Sequence, residues 1–200
     1  MSGNTESRQA PLAHLKDAKT DRRIRRTRET LGDALVQLIQ EKPFDDITVQ
    51  QVLDRAGVSR TTFYAHYRDK DDLFLSDVED FFELISTLLT RQGAPSTRVA
   101  PVQEFLAHLA DVRQFHDALV ASGKMDDVRE LGLGFFARSI EQRLLLAGVA
   151  MDPASLRASS HALAGSMFAM VEWWLRAGMP TPPAEMDAIF HRLVWSGLSH

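Results

Sequence analysis

Residues 47–73 read ITVQQVLDRAGVSRTTFYAHYRDKDDL and contain two short helical patterns separated by a glycine. The first pattern places apolar residues at helical spacing up to Gly57, and the second opens at Ser59 and contains Phe63 and Tyr67. Two short helices joined through a tight turn at glycine are typical of a helix-turn-helix, whose second helix lies in the major groove of DNA. This stretch therefore predicts sequence-specific DNA binding.

The second helix of the motif has an apolar face and an opposite face of small residues. At about 100° per residue, Phe63 and Tyr67 fall on one narrow face that must pack inward, whereas Thr61, Thr62 and Ala65 fall opposite. Small residues let the backbone approach the bases, where threonine hydroxyls and apolar methyl groups contact base edges. We therefore expect the small residues to read the DNA sequence.

Groups suited to phosphate binding surround this face. Tyr64, His66 and Lys70 flank it, and Thr48, at a predicted helix N-terminus, offers its hydroxyl and backbone N–H groups. The arginines before Leu31 fit a neighbouring phosphate or the minor groove, although such a run taken alone fits a solvated surface equally well. The predicted DNA-binding set is Arg25, Arg26, Thr48, Ser59, Arg60, Thr61, Thr62, Tyr64, Ala65, His66 and Lys70.

The charge of the chain is concentrated where DNA binding is predicted. The net charge is −4, yet residues 1–72 hold 13 basic against 12 acidic side chains, and residues 73–200 hold 10 against 15. Residues 16–28 alone hold seven basic and two acidic side chains. Because phosphate binding needs a local positive surface rather than a basic whole, the negative net charge does not exclude a DNA-binding protein.

Composition and spacing argue against several other classes of protein. The absence of cysteine excludes disulfides and thiolate metal sites and fits a cytoplasmic protein. The first 20 residues lack the apolar run of a signal peptide, and no apolar stretch is long enough for a membrane span. Residues 132–137 match a loose GxGxxA pattern, but helical periodicity surrounds them and no strand is predicted before them, which argues against a dinucleotide-binding site. We expect no enzyme activity, no catalytic residues, no cofactor, no metal and no membrane partner.

Helical periodicity extends over the rest of the chain, and no segment alternates for long enough to predict a strand. Pro43 marks the end of the helix before the motif, and Thr48 and Asp69 are predicted helix N-caps. We predict an all-α protein with a three-helix N-terminal helix-turn-helix domain and about nine helices in total. In addition to the two motif helices, the predicted helices span about residues 22–41, 70–91, 100–111, 113–121, 126–149, 154–177 and 183–198.

The stretch TRETLGDALVQLIQEKPFDDITVQQVLDRAGVSRTTFYAHYRDKDDLF resembles the DNA-binding domain of TetR/AcrR-type transcriptional regulators. The matching features are EKPF at a helix end, then ITV, the RAGVSR turn, TFYAHY and the DKDDL that opens the next helix, over about residues 22–75. The resemblance implies phosphate contacts at Thr48, Tyr64, His66 and Lys70, and base reading at Arg60, Thr61, Thr62 and Ala65. It also implies a flexible basic and polar arm at 1–20, a DNA-binding domain at 21–70 and a helical effector-binding and dimerisation domain at 71–200.

The two helices that close the chain are too apolar for isolated surface helices. The segment ALAGSMFAMVEWWL is apolar on nearly every side, and such a helix must be covered on all sides. We expect one face to pack within the subunit and another against a second subunit, giving the four-helix contact that the resemblance implies. A central place in a monomeric core is the alternative. The predicted dimer interface is Leu163, Met167, Val171, Trp174, Ile189, Phe190, Leu193 and Val194.

An aromatic and methionine stripe lies between the DNA-binding segment and these last helices. A stripe at helical spacing is more often ordinary core, but the resemblance implies a small-molecule pocket in this region. The predicted effector residues are Phe81, Phe82, Ile85, Phe105, His108, Phe115, Phe135, Phe136, Met167 and Met170. We expect a homodimeric repressor that a small molecule releases from a palindromic operator on double-stranded DNA. The alternatives are an activator or protein-responsive regulator of the same fold and, more remotely, an all-α ligand carrier or enzyme.

Overall fold

The computed structural model describes residues 10–90, 97–121 and 123–198, with the side chains of residues 10–21, Thr90, Gln114 and Leu198 excepted. These ranges contain helices and no β-strand, which confirms the predicted all-α fold. The helices are α1 (Ala10–Glu41), α2 (Val49–Ala56), α3 (Arg60–Tyr64), α4 (Lys70–Thr90), α5 (Val102–Asp111), α6 (Arg113–Ala121), α7 (Met125–Leu146), α8 (Pro153–Arg176) and α9 (Pro183–Leu198), with a 3-10 helix at Phe44–Asp46. None of the described helices combines the length and the apolar character that crossing a bilayer requires.

The chain divides into two compact units, Met1–Phe74 and Leu75–His200, here called the N-terminal and C-terminal units. The first turn of α4 belongs to the N-terminal unit, and the rest of α4 belongs to the C-terminal unit.

Helix α1 is longer than its apolar stripe predicts. It begins at Ala10, whereas the stripe predicts a start near Arg22. Residues 10–19 are rich in alanine, leucine and lysine, which favour helix, and Pro11 lies in the first turn, where a missing N–H costs nothing. The first nine residues of the predicted flexible arm lie outside the described residues.

The core of the N-terminal unit is formed by α1, α2 and α3. Leu31, Phe44, Val52 and Phe63 are fully buried in it. At the edge of the unit, Arg55 on α2 donates to both carboxylate oxygens of Glu41 on α1, at 2.5 and 2.9 Å, and this pairing lowers the pKa of the glutamate. The three helices are therefore held by both apolar and charged contacts.

The core of the C-terminal unit depends on close packing between α7 and α8. Gly132 on α7 faces Phe168 on α8, and a Cβ atom at residue 132 would lie 2.4 Å from Phe168 Cζ and 3.0 Å from Phe82 Cζ. A larger residue at 132 would therefore overlap these aromatic rings. The first glycine of the GxGxxA pattern thus has a packing role in this unit.

A polar cluster joins α9 to the start of α5 in the same unit. Arg98 donates to both oxygens of Glu104, at 2.8 and 2.6 Å, and to both oxygens of Asp187, at 2.9 and 2.7 Å. His191 Nε2 accepts the backbone N–H of Val99 at 3.0 Å. Burial raises the pKa of Asp187, but hydrogen bonds from His191 and Arg98 outweigh burial, so the net shift is downward. These bonds fix α9 against the segment that precedes α5.

Candidate nucleic-acid interface

The turn between α2 and α3 is built from local hydrogen bonds. Thr48 Oγ1 accepts the N–H of Gln51, and Gln51 Oε1 accepts the N–H of Thr48, so the predicted N-cap at Thr48 is confirmed as a capping box. Helix α2 ends at Gly57, whose φ of 64° is the left-handed conformation that glycine adopts without steric cost. Ser59 then caps α3 by accepting the N–H of Thr62 at 3.2 Å.

Helix α3 is shorter than the sequence pattern predicts. It comprises Arg60–Tyr64 and is capped by Ala65, so the prediction that the helix also contains Tyr67 is wrong. The N–H groups of His66 and Tyr67 both still donate to the carbonyl of Phe63, each at 2.9 Å, and these bonds close the turn after the helix. The prediction of 100° of rotation per residue therefore does not extend to His66 and Tyr67, because the helix has ended before them.

The inward side of α3 is anchored by two aromatic residues. Phe63 is fully buried, Tyr67 is buried just beyond the helix, and their ring centroids lie 5.7 Å apart. The Tyr67 hydroxyl accepts Nε–H of Arg28 on α1 at 3.2 Å. One of the arginines before Leu31 therefore has a structural role, which sequence reasoning missed because the two residues lie 39 positions apart.

The opposite side of α3 is open. Arg60, Thr61 and Ala65 are exposed, and Tyr64 is 50% exposed. The Arg60 guanidinium lies 6.0 Å from the centroid of the Tyr64 ring. Thr62 is only half-buried, and its hydroxyl shares a 2.8 Å hydrogen bond with the Ser59 hydroxyl. The four exposed residues thus form one surface, and Thr62 lies at its edge with its hydroxyl engaged in the helix cap.

Lys70 is placed by the backbone of the 3-10 helix. Its Nζ donates to the carbonyl oxygens of Phe44, at 2.7 Å, and Asp45, at 3.2 Å, and lies 4.5 Å from the centroid of the Phe44 ring. These two bonds use two of the three ammonium N–H groups. The predicted cap of α4 at Asp69 is present, since the carboxylate of Asp69 accepts the N–H of Asp72 at 2.8 Å.

The remaining predicted phosphate-binding groups are exposed or half-buried. Thr48 is exposed at the start of α2, and Lys42 Nζ lies close by, donating to Gln51 Oε1 at 2.5 Å. Sequence reasoning missed this lysine, which adds a positive charge beside Thr48. Arg25 and Arg26 are exposed on α1, and Arg25 Nε lies 3.5 Å from the carboxylate of Glu29. His66 is half-buried in the turn after α3.

Residues 31–76 match a family model described as bacterial regulatory proteins, tetR family. The matched residues contain α2, α3 and the turn between them, together with the C-terminal part of the helix that precedes them. Over 82 residues the chain is 32% identical to an uncharacterised HTH-type transcriptional regulator of Bacillus subtilis, YxbF, and this match covers 40% of the chain and 22% of that relative. The chain thus spans less than a third of the length of the curated relatives that it matches.

Solved structures of transcriptional regulators show the same fold over most of the chain. The dihydroxyacetone kinase operon activator DhaS aligns with a TM-score of 0.63 at 13% identity, over 86% of this chain and 96% of that chain. FadR of Bacillus subtilis, solved with stearoyl-CoA, aligns with a TM-score of 0.55 at 17% identity, over 84% of this chain and 98% of that chain. The likeness shows an N-terminal helix-turn-helix domain followed by a helical C-terminal domain.

The residues predicted for the effector pocket lie in the C-terminal unit, and several of them belong to its buried core. Phe82, Phe105 and Phe136 are buried and pack on one another, with ring centroids 5.2 to 6.1 Å apart. The His108 ring centroid lies 4.3 Å from that of Phe81, and burial lowers the pKa of this histidine. Phe82, Phe105 and Phe136 therefore form part of the packed core, whereas Phe81 and His108 are only half-buried.

A groove of about 440 Å³ lies between α8 and α9. It is lined by Leu163, Ser166, Met170, Trp173, Thr181, Met186, Ile189, Phe190, Leu193 and Val194. Met170 belongs to the predicted effector set, whereas five other lining residues belong to the predicted dimer set, which are Leu163, Ile189, Phe190, Leu193 and Val194. The predicted effector and dimer sets therefore meet in this groove.

The residues predicted for the dimer interface differ in their exposure. Met167, Val171 and Trp174 are buried within the subunit, so they offer little surface to a partner. The exposed apolar residues of this face are Leu193, 66% exposed, and Trp173, 55% exposed. Trp173, which the predicted set omits, is the exposed member of the adjacent tryptophan pair.

Proposed function

We propose that this protein is a sequence-specific DNA-binding transcriptional regulator that reads a pseudo-palindromic operator as a homodimer. We further propose that it represses transcription and that a small-molecule effector releases it from DNA. The proposal depends on the two sides of α3, of which one is buried at Phe63 and the other is exposed at Arg60, Thr61, Tyr64 and Ala65. A recognition helix needs such an arrangement, since one side must anchor it while the other enters the groove.

Different exposed groups have different roles in this proposal. Arg60, Thr61 and Ala65 contact base edges and determine sequence preference, with Thr62 contributing from the edge. The groups around them position the protein on the backbone without reading sequence. These phosphate-binding groups are Thr48, Tyr64, His66, the remaining N–H of Lys70, and Arg25 and Arg26.

Dimerisation is part of the proposal because one copy of α3 is too short to select a site. Its five residues reach only a few base pairs, whereas two copies on a two-fold axis read half-sites about 34–36 Å apart. The apolar groove between α8 and α9, with Trp173 and Leu193 exposed beside it, supports this face as the contact between subunits. A monomer would leave this apolar surface in water.

The effector part of the proposal is supported by the fold and by the aromatic composition of the C-terminal unit. FadR of Bacillus subtilis, which has the same fold, was solved with stearoyl-CoA. A typical coupling free energy of about 1–3 kcal/mol between effector and DNA would change operator affinity about 5- to 150-fold. We propose that the effector acts by changing the separation of the two DNA-binding domains.

Selection of bound sequences from random double-stranded DNA tests the central proposal. The wild-type protein should enrich an inverted repeat, and its binding should weaken steeply as salt rises, because phosphate contacts release counterions. Gln37→Ala, at an exposed position of α1, is the matched control and should enrich the same repeat. Failure of the wild-type protein to enrich any sequence over random DNA would overturn the proposal.

The direction of regulation is tested separately. DhaS, which has the same fold, is named an activator, and an activator or a regulator that answers to a protein partner is the second candidate. Transcription in vitro from the selected operator should fall when the protein is added if it is a repressor. A rise in transcript would favour the second candidate while leaving DNA binding intact.

A further inference from the structure

A buried hydroxyl without a hydrogen-bond partner lies beside a half-buried arginine in the C-terminal unit. The hydroxyl oxygen of Ser86 on α4 is out of contact with solvent and has no hydrogen-bond partner among the described residues. Arg143 on α7 is half-buried, and its Nη2 donates to the backbone carbonyl of Ser86 at 3.2 Å. Buried polar groups are nearly always paired, so an unpaired hydroxyl beside a half-buried arginine calls for an explanation.

The charge of Arg143 is not balanced locally. In the part of the chain that the structure describes, its side chain forms no ion pair with a carboxylate, and the one hydrogen bond of that side chain is to the Ser86 carbonyl. Burial, and then the like charge of Arg98, lower the pKa of Arg143. Arg98 already holds the carboxylates of Glu104 and Asp187 in bidentate hydrogen bonds. A guanidinium has five N–H donors, so most of those on Arg143 remain for a ligand.

Both helices also carry buried apolar side chains close to this pair along the chain. Ile140 and Leu144, which precede and follow Arg143 on α7, are fully buried. Phe82 lies one turn before Ser86 on α4, and its ring centroid is 5.2 Å from that of Phe136. An anion bound at Ser86 and Arg143 would therefore have apolar side chains of both helices beside it.

We propose that Ser86 and Arg143 form the head-group site for a carboxylate effector with an apolar body. Two guanidinium N–H groups of Arg143 donate to the two carboxylate oxygens, and the Ser86 hydroxyl donates to one of them. A carboxylate matches the planar guanidinium in two parallel hydrogen bonds, which gives it an advantage over a neutral head group. The effector role rests on the proposed function, whereas binding at this site does not.

Thermal denaturation of the full chain with sodium octanoate, 1-octanol or inorganic phosphate tests this site. Octanoate should raise the melting temperature of the wild-type protein, and octanol and phosphate should not. Arg143→Gln and Ser86→Ala should each weaken octanoate binding by roughly tenfold or more, because each removes a hydrogen bond to a charged group. Arg138→Gln, at an exposed arginine on the same helix, is the matched control and should bind octanoate like the wild type.

Ser86→Ala keeps the test independent of folding. Removing a buried hydroxyl that has no partner is not expected to lower the melting temperature without ligand. Equal stabilisation of the wild type and Arg143→Gln by octanoate, no stabilisation of either, or equal stabilisation by phosphate would overturn the carboxylate site. If octanoate binds through Arg143 but leaves operator affinity unchanged, the site stands and the proposed release by this class of effector fails.

Discussion

Replacement of Gly132 by alanine tests the packing between α7 and α8 most directly. The added Cβ would lie 2.4 Å from Phe168 Cζ, which is closer than real Cβ contacts, and 3.0 Å from Phe82 Cζ, which is tighter than most of them. Phe168 has little freedom to retreat, because its ring packs against those of Phe105 and Phe136, with centroids 6.0 and 5.9 Å away. Gly134 is the matched control, since a Cβ there would meet only the far end of the Arg138 side chain, at 3.5 Å.

The expected magnitude follows from two opposing effects. Alanine in place of glycine inside a helix stabilises by about 1 kcal/mol at either position. Overpacking at residue 132 costs about 1–3 kcal/mol, so Gly132→Ala should be neutral or destabilising by up to about 2 kcal/mol. Gly134→Ala should stabilise by about 1 kcal/mol, because no comparable overlap opposes the helix propensity. At about 2–4 °C per kcal/mol for a chain of this size, Gly132→Ala should melt roughly 2–12 °C below Gly134→Ala.

Tryptophan fluorescence gives an assay confined to the right part of the molecule. All three tryptophans of the chain, at 173, 174 and 195, lie in the C-terminal unit. Thermal and urea unfolding followed by this signal therefore report that unit rather than the helix-turn-helix domain. If Gly132→Ala melts at or above the temperature of Gly134→Ala, the reasoning from close helix packing is refuted.

Three further predictions concern the other parts of the molecule. Thr61→Ala should relax base preference by about 1–3 kcal/mol at one position of the half-site, whereas Tyr64→Phe should weaken binding to all sequences alike. Competition gel shifts that show a uniform loss of affinity for both variants would refute the assignment. Asp187 has a lowered pKa, so the stability that it contributes is present above the unfolded pKa of about 3.9 and is lost as pH falls through the lower folded pKa. Acid unfolding followed by tryptophan fluorescence should show this loss of stability in the wild type and not in Asp187→Asn. The substitution itself should lower the free energy of unfolding by roughly 1–3 kcal/mol at neutral pH. Leu193→Glu should leave the fold intact, because this side chain is 66% exposed, and should yield monomers in light scattering; a persistent dimer would contradict the proposed subunit contact.

The local features of the helix-turn-helix could be predicted from sequence because they depend on neighbouring residues. The left-handed Gly57 and the caps at Thr48 and Ser59 each form a hydrogen bond with a residue three or four positions away. The inward direction of Phe63 and Tyr67 likewise follows from their shared apolar character. Each of these features was recognisable without any knowledge of the rest of the chain.

Contacts between distant segments could not be predicted in this way. The bond from Arg28 to Tyr67 and the bonds from Lys70 to the Phe44 and Asp45 carbonyls join residues 25 to 39 positions apart. Nothing in helical periodicity specifies such a partner. The early end of α3 was missed for a related reason, since Tyr67 is apolar enough to continue the helical pattern although the chain has already turned.

The apolar faces of α8 show a different limit of sequence reasoning. A helical pattern tells which positions avoid water, but it does not tell which element covers them. Trp173 and Trp174 are chemically identical neighbours, yet the subunit buries one and leaves the other 55% exposed. The exposed member, together with Leu193, therefore forms an apolar surface that we propose is covered by a second copy of the chain. Helix α3 is also short, so one copy offers only a small surface to DNA. A second copy of the chain, bound at the α8 and α9 surface, would both cover the apolar groove and double the surface that recognises DNA.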